Sequence, residues 1–195
     1  SFNVGGGFLG GTARSVGLQS DGKVIVGGTF ATYDGDPADS LIRLNSDGSL
    51  DTTFNNGAAA NNTVLAIQVQ PDDKVLVGGT LTAYNGTTTN RIARLNADGS
   101  LDTSFNVGTG FNSLIERLEL QPDGKILAGG NFGSYNGTSI SRAARVNSDG
   151  SLDTSFSLAG SFNNRVYAIH AQPDGKILVG GGFNTYNGST VNRIL

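Results

Sequence analysis

The chain has 195 residues, of which 37% are hydrophobic and 15% charged, and its formal net charge is −3. This composition supplies enough apolar material for a folded core and lacks the basic surface that nucleic-acid binding requires. The absence of cysteine excludes disulfides, cysteine-ligated metals and thiol catalysis, and no apolar run is long enough to cross a membrane.

One glycine-rich motif occurs four times at a constant spacing of 51 residues, starting at positions 19, 70, 121 and 172. Its copies are QSDGKVIVGG, QPDDKVLVGG, QPDGKILAGG and QPDGKILVGG. A YDG or YNG motif follows each copy at the same spacing, and the tail DTTF or DTSF follows the first three. Such uniform spacing indicates modules that stack in the same way, each with a linker of the same length.

The elements of one repeat follow in chain order, and the copy at 64–105 illustrates them. Alternating apolar residues predict a half-buried first strand at 64–70, and PDDK predicts a tight turn. KVLVGG is apolar on both faces, which predicts a fully buried second strand. A polar loop through YNGT leads to a third strand at 91–96, and the tail LDTSF predicts a fourth, edge strand. No segment has the period of a helix.

Four antiparallel strands in about 50 residues match the size of one propeller blade. The sequence therefore predicts an all-β protein, a β-propeller built from 51-residue four-stranded blades, with about 3.8 repeats in the 195-residue chain. It predicts a single repeat domain over 1–195, with blades at approximately 3–54, 55–105, 106–156 and 157–195, the last one incomplete. A β-solenoid is the alternative, although its repeats are usually shorter.

The glycine pair that ends each second strand has two structural interpretations. A backbone without side chains lets adjacent blades approach closely, or it supports a β-bulge. A phosphate-binding loop is the functional rival, but it needs a helix after the glycines, and the sequence predicts none.

The blocks PDGKILVGG, YNG, RIARLN, ADGS and LDTSF recur in this order over essentially the whole chain. The sequence closely resembles the delta-60 repeat, a bacterial β-propeller repeat family. The resemblance implies a part of a large secreted or surface-attached bacterial protein, or of a phage appendage. It implies no catalytic residues and no agreed ligand.

Two arrangements of the blades remain open at the level of sequence. In a closed four-bladed ring, the N-terminal SFN segment would supply the last strand of the fourth blade. Alternatively, the chain is a window on a longer array, or one of several copies that complete a ring together. An unpaired strand edge would invite association. The expected partners are therefore other copies of the chain or further blades, and cell-surface glycans, with no nucleic acid.

Arginine and aspartate columns that step by 51 residues are expected to tie neighbouring blades together through ion pairs. These structural residues are Arg43, Arg94 and Arg145, with Asp51, Asp102 and Asp153. A ring of positive charge that binds an anion is the alternative for the arginines. The aspartates of the DG turns offer a weak calcium alternative, although local turn capping also accounts for them: Asp47, Asp98 and Asp149.

His170 is the only histidine, and Glu116 and Glu119 are the best candidates for a pair of catalytic carboxylates. The repeat places no fixed serine or carboxylate beside the histidine. The two glutamates are three residues apart on one strand and are expected on opposite faces. The sequence therefore predicts no catalytic residue, no metal, no cofactor and no enzyme activity.

Polar loops carry the candidate ligand-binding residues, because recognition concentrates on loops that a rigid scaffold holds. These candidates are Tyr33, Tyr84, Tyr135, Tyr186, Asn85, Asn136 and Asn187, with the aromatic residues Phe111, Phe162 and Tyr167 in a second set of loops. The first hypothesis is a non-enzymatic structural or adhesive interaction module on an extracellular bacterial surface or a phage appendage. The alternative is a lectin-like propeller that binds glycans through the Thr/Asn-rich blade loops.

Overall fold

The computed structural model describes residues 2–54, 60–156 and 161–195. These residues form strands, turns and bends, without a helix, so the all-β prediction is confirmed. Within the same ranges there is accordingly no helix with the length and hydropathy needed to span a bilayer. The chain divides into two compact units, Ser1–Thr103 and Ser104–Leu195.

Each unit contains two repeats. The first unit contains β1 (Phe8–Leu9), β2 (Ala13–Leu18), β3 (Val24–Gly28), β4 (Thr32–Tyr33), β5 (Asp36–Pro37), β6 (Leu41–Leu44), β7 (Val64–Val69), β8 (Val75–Gly79), β9 (Ala83–Tyr84), β10 (Thr87–Thr88) and β11 (Ile92–Leu95). The second unit contains β12 (Ile115–Leu120), β13 (Ile126–Gly130), β14 (Ser134–Tyr135), β15 (Thr138–Ser139), β16 (Ala143–Val146), β17 (Val166–Ala171), β18 (Ile177–Gly181), β19 (Thr185–Tyr186) and β20 (Ser189–Thr190).

The first three repeats each form an antiparallel sheet whose second strand lies in the middle. The strand orders are β2-β3-β6, β7-β8-β11 and β12-β13-β16. In the fourth repeat β17 pairs with β18, and Ile194 adds one bridge to Gly180. A middle strand has a partner on both edges and is covered on both faces, which explains why VLVGG and ILAGG are apolar and fully buried.

The predicted fourth strand is reduced to a single bridge in each of the first three repeats. Leu50, Leu101 and Leu152 pair with the end of the third strand, and the residues that follow form a turn. The side chain of Asp51 accepts hydrogen bonds from the backbone N and the hydroxyl of Thr53, at 2.9 and 2.6 Å. This local capping competes with a strand ladder and ends the sheet.

The YDG and YNG segments, predicted as loops, form small hairpins. In the second repeat Tyr84 pairs with Thr87 across Asn85 and Gly86, whose φ angles are 46° and 75°. Two consecutive positive φ angles are the signature of a type I′ turn, for which Asn-Gly is the preferred sequence. The hairpin stands apart from the main sheet of the blade.

Both structural interpretations of the glycine pair are confirmed, each on one of the two glycines. A Cβ added to the first glycine, Gly27, would lie 2.6 Å from Cγ1 of Val64 in the next blade. A Cβ on the second glycine, Gly28, would overlap the carbonyl oxygen of Thr12, where β2 carries a register shift between Ala13 and Ser15. The first glycine therefore admits the neighbouring blade, and the second accommodates a bulge.

The blades of one unit share a core. Ile25 and Leu41 of the first blade belong to the same buried cluster as Val64 and Ile67 of the second. In the second unit Leu127 of the third blade clusters with residues of β17 and β18. Each fully buried aliphatic side chain stabilises the fold by about 1.5–3 kcal/mol, so packing between blades is a main source of stability.

Candidate functional site

Three of the four candidate tyrosines lie in the core rather than at a binding surface. Tyr33, Tyr84 and Tyr135 are almost fully buried. Each hydroxyl donates to a main-chain carbonyl in the DG turn of the same blade: Gly48 at 2.5 Å, Gly99 at 2.6 Å, and Gly150. The predicted ligand contact is wrong for these three side chains, because none presents a ring face to solvent. Tyr186 is only partly buried and packs against Phe162, with ring centroids 4.9 Å apart.

We expect these buried hydroxyls to make the protein sensitive to alkali. Burial, with a smaller contribution from the nearby Asp98, raises the pKa of Tyr84 above its ordinary value of 10.0, and burial does the same for Tyr135. Because the folded-state pKa is raised, the stabilisation is complete below pH 10.0 and is lost as the pH rises through the folded value. In an alkaline titration, tyrosinate absorbance from the buried side chains should appear together with loss of the β-sheet circular dichroism signal.

A Tyr84→Phe variant provides the control for this titration. It should lose about 1–3 kcal/mol of stability, because the Gly99 carbonyl is left without its partner. It should also remove one tyrosine from the fraction that ionises only on unfolding. Full ionisation of all the tyrosines with an unchanged circular dichroism spectrum would contradict the assignment.

The asparagines of the hairpins lie where the sequence predicts, on exposed turns. Asn85, Asn136 and Asn187 are exposed, with φ between 46° and 50°. The amide oxygen of Asn136 accepts from the backbone N and hydroxyl of Thr109, at 3.1 and 3.2 Å. Their ligand-binding role stays a prediction.

The aromatic residues proposed for sugar stacking divide into buried and exposed groups. Phe111 is buried between Phe132 and Tyr135, with ring centroids at 4.4 and 4.5 Å, and Phe162 is buried in the equivalent place. They brace the hairpins and offer no face to a ligand. Tyr167 is exposed on β17.

A cavity of about 390 Å³ lies in the second unit, between the third and fourth repeats. Hydroxyl and amide side chains are prominent in its lining, which includes Thr138, Ser139, Ser141, Ser161 and Asn187. The ring of Phe156 also lines it. A few polar groups beside one aromatic surface can hold a small polar ligand such as a sugar unit.

The arginine–aspartate pairs exist, but they lie within blades rather than between them. Nε of Arg43 is 2.8 Å from Oδ2 of Asp51, and the equivalent distances in the next two blades are 2.7 and 2.8 Å. The hairpin turn places the third strand opposite the tail, so an arginine meets the aspartate of its own repeat. The prediction of an inter-blade pair is therefore wrong for Arg43, Arg94, Arg145, Asp51, Asp102 and Asp153. Arg43 does reach the next blade, because its Nη1 donates to the carbonyl of Ala97.

A lysine completes each of these clusters, and sequence reasoning missed it. Lys23, Lys74 and Lys125 lie 3.0, 2.9 and 2.8 Å from the aspartate of their own blade. The signal was present, because the lysine of the DGK or DDK turn also steps by 51 residues. The carboxylate offsets one of the two positive charges, so each cluster keeps a formal charge of +1, and the anion-site alternative for the arginines stays a prediction.

The electrostatics of the aspartates follow from these contacts. Burial raises the pKa of Asp51, but hydrogen bonds from Thr53 and Lys23, with the charge of Arg43, outweigh that effect and hold its pKa well below the usual range. Hydrogen bonds from Lys125 and then Ser155 lower the pKa of Asp153 in the same way. Both carboxylates are ionised at neutral pH and serve the fold.

The turn aspartates considered for calcium are engaged in their own turns. Oδ1 of Asp47 accepts from the backbone N and the hydroxyl of Ser49, at 3.0 and 2.7 Å, and Asp98 and Asp149 repeat the arrangement. The hydrogen bonds from Ser49 and Ser100 lower the pKa of Asp47 and Asp98. In residues 2–54, 60–156 and 161–195, no three His, Cys, Asp or Glu side chains come together as metal ligands.

A sequence search assigns the repeats to a family. The sequence model described as "Domain of unknown function (DUF5122) beta-propeller" matches residues 19–54, 70–105, 121–156 and 172–195. The chain belongs to this family. Each complete DUF5122 match runs from the strand-two turn to the DTTF or DTSF tail, so it contains one whole Lys–Arg–Asp cluster.

Solved structures confirm the fold of this DUF5122 chain. The WD40 β-propeller domain of Doa1 matches with a TM-score of 0.57 and 16% identity, over 87% of this chain and 46% of that chain. A protein of unknown function from Bacteroides caccae matches with a TM-score of 0.52 and 15% identity, over 88% and 54%. The chain spans about half the length of these structures, and the likeness shows the β-propeller fold alone. No curated protein matches.

His170 has a carboxylate beside it, contrary to the prediction. Its Nδ1 lies 3.0 Å from Oε2 of Glu119, whose other oxygen accepts from the backbone N of Ala171 at 2.8 Å. Glu116 pairs with Arg165 at 2.8 Å, so both glutamates face the fourth blade. The predicted opposite faces are wrong, because the bulge between Ile115 and Arg117 inserts one residue and changes the alternation. These contacts join two blades of the DUF5122 unit.

Proposed function

We propose that this DUF5122 chain is a non-enzymatic structural or adhesive interaction module of the delta-60 type, presented on an extracellular bacterial surface or a phage appendage. The observation that carries this proposal is the exposed hairpin that each repeat contains. The second strand of the hairpin is exposed in all four repeats, and in the last three it carries only hydroxyl side chains: Asp36–Pro37, Thr87–Thr88, Thr138–Ser139 and Ser189–Thr190. Repetition of one polar edge on rigid sheets suits a multivalent contact, in which many weak bonds act together.

The ionisable side chains favour a non-catalytic role. The carboxylates with strongly lowered pKa, Asp51 and Asp153, hold lysine and arginine of their own blades. Glu116 and Glu119 connect the third and fourth blades. Groups that serve catalysis are usually poised for proton transfer in a cleft, whereas these groups support packing.

A lectin-like function is the second candidate, and the cavity of the second unit supports it. Its hydroxyl and amide lining, with Phe156, resembles a polar ligand site more than an interface for an apolar protein segment. Asn187 joins the predicted binding residues to this cavity.

One binding experiment tests both candidates. Labelled protein should bind intact cells of the encoding organism in a saturable manner. A variant with alanine at Thr87, Thr88, Thr138 and Ser139 should bind at least about tenfold more weakly, because each hydroxyl is exposed and removable without disturbing the core. The control variant, Asp174→Ala with Lys176→Ala, removes an exposed ion pair outside the hairpins and should bind normally.

The same proteins applied to a glycan array separate the two functions. Binding to defined glycans that is lost in Asn187→Ala favours the lectin. Cell binding without glycan binding favours the adhesive module. Absence of binding to both, or equal loss in the control variant, would contradict both proposals. Antibody labelling of intact cells tests the surface location.

A further inference from the structure

Exposed large hydrophobic side chains are confined to the two ends of the repeat series. Within residues 2–54, 60–156 and 161–195, all of them lie either before Gln19 or after Arg165. They are Phe2, Val4, Leu9, Val16 and Leu18 on one side, and Tyr167, Leu178, Ile194 and Leu195 on the other. Single exposed apolar residues are common, but two patches restricted to the first and fourth blades indicate uncovered packing faces.

The contact between the first and second blades defines two kinds of face. The projecting face is the outer side of a first strand, here Ile67 and Val69 of β7. It packs on glycines of the preceding blade, since a Cβ added to Gly17 would lie 2.7 Å from Val69 and 2.8 Å from Ile67. Ile67 joins the cluster that contains Ile25 of the first blade.

The receiving face is the side of a blade that accepts this strand. In the third blade it comprises Leu127, Gly129 and Ala143, all covered by the fourth blade. A Cβ added to Gly129 would lie 2.7 Å from Cγ1 of Val166, so a side chain here would block the contact. The same pair of faces therefore meets twice, once in each unit.

The projecting face of the first blade is exposed. Val16 and Leu18 occupy the positions 51 residues before Ile67 and Val69. They are 66% and 68% exposed, whereas Ile67 is buried and Val69 partly buried. Both positions are apolar, as in the second blade, but in the first blade the two side chains are exposed.

The fourth blade has an uncovered receiving face. Leu178 and Ile194 lie 51 residues after Leu127 and Ala143 and are 41% and 66% exposed. A Cβ added to Gly180 would meet nothing closer than 3.8 Å, whereas its equivalent Gly129 has no such space. This face has the small residue and the apolar surround that the buried face has in the third blade.

We propose that the projecting face of the first blade of one copy docks on the receiving face of the fourth blade of a second copy. Val16 and Leu18 then cover Leu178, Gly180 and Ile194, as their equivalents Ile169 and Ala171 pack on the third blade. The occupant is a second copy because the chain itself supplies both halves of a contact that it forms twice internally. The association is heterologous, and it is independent of the proposed function of the hairpins.

Sedimentation of the purified chain tests this proposal. The mass should exceed the 20.0 kDa of one chain and rise with protein concentration. Leu18→Glu places a charge on the projecting face, and Gly180→Val fills the receiving face. Both positions are open in the single chain, so each variant should fold and sediment as a monomer. Thr88→Glu adds the same charge on an exposed hairpin and should assemble as the unmodified chain does.

Mixing the two interface variants is the decisive experiment. Leu18→Glu keeps an intact receiving face and Gly180→Val keeps an intact projecting face, so an equimolar mixture should form a complex of two chains and stop there. A monomeric unmodified chain at about 100 µM would overturn the proposal. So would a mixture that stays monomeric, assembly that survives either variant alone, or dissociation by Thr88→Glu.

Discussion

Gly79→Ala is expected to destabilise the first unit by about 3 kcal/mol or more, although it adds a single methyl group. The added Cβ would overlap the carbonyl oxygen of Thr63 and lie 3.0 Å from the backbone N of Leu65. Thr63 directly precedes β7, and Leu65 lies in its bulge between Val64 and Ala66, which the ladder to β8 fixes in place. Because the obstacle is backbone, no side-chain rotation relieves the overlap. Urea unfolding followed by circular dichroism measures the loss.

Gly133→Ala is the matched control. An added Cβ at Gly133 would meet nothing closer than 3.8 Å, and alanine already occupies the equivalent position in the first repeat, Ala31. This variant should change stability by no more than about 0.5 kcal/mol, and the lower backbone entropy of its unfolded chain favours a slight gain. Equal effects of the two substitutions would show that the bulge does not require glycine.

The regular spacing makes much of the fold predictable. The 51-residue period, the alternation in the first strand and the Asp-Gly turns identify modules, strands and all-β class, because each depends on local chain geometry. The glycine pair predicts either a close blade contact or a bulge, and the structure uses Gly27 for one and Gly28 for the other. A bulge leaves no other clear signal in the sequence, which is why the faces of Glu116 and Glu119 were predicted wrongly.

The partners of side chains were predictable only in part. A turn that pairs Leu44 with Leu50 also brings Arg43 opposite Asp51, so this pair could have been found from the register of the hairpin. The burial of Tyr84 could not have been predicted from the sequence, because a tyrosine beside an Asn-Gly turn has the pattern of a loop residue. Its hydroxyl reaches a carbonyl fifteen residues away, a distance in sequence that no local pattern reports.

Replacement of Asp51 is expected to have the other large effect. Asp51→Ala leaves the buried guanidinium of Arg43 and the ammonium of Lys23 without their carboxylate. Removing one partner of a buried ion pair costs about 3–5 kcal/mol, because the remaining charge stays desolvated. Asp51→Asn keeps the shape of the side chain and should cost less, since the amide oxygen can still accept from Thr53.

The pH dependence separates the loss of charge from the loss of packing. Because the folded-state pKa of Asp51 is depressed, its stabilisation is complete above the ordinary value of 3.8 and is lost as the pH falls towards the folded value. The urea midpoint of Asp51→Asn should therefore lie well below that of the parent protein at about pH 7. The gap should narrow at about pH 3, because Asp51 of the unfolded parent takes up a proton there while the folded carboxylate stays ionised. A gap that does not change with pH would assign the effect to shape alone.

Asp174→Asn supplies the comparison for charge at a surface. Asp174 pairs with Lys176 at 2.7 Å, but both side chains are largely exposed, so the substitution should change stability much less than Asp51→Asn does. In the first three repeats the equivalent lysine pairs with a buried aspartate, whereas in the fourth repeat it pairs with this exposed one. The same lysine position therefore allows the stabilisation from a buried pair to be compared with that from a surface pair. Equal losses from Asp51→Asn and Asp174→Asn at neutral pH would mean that burial adds nothing to the Lys–Arg–Asp cluster. A larger loss at Asp51 assigns the difference to the burial of the Lys–Arg–Asp cluster.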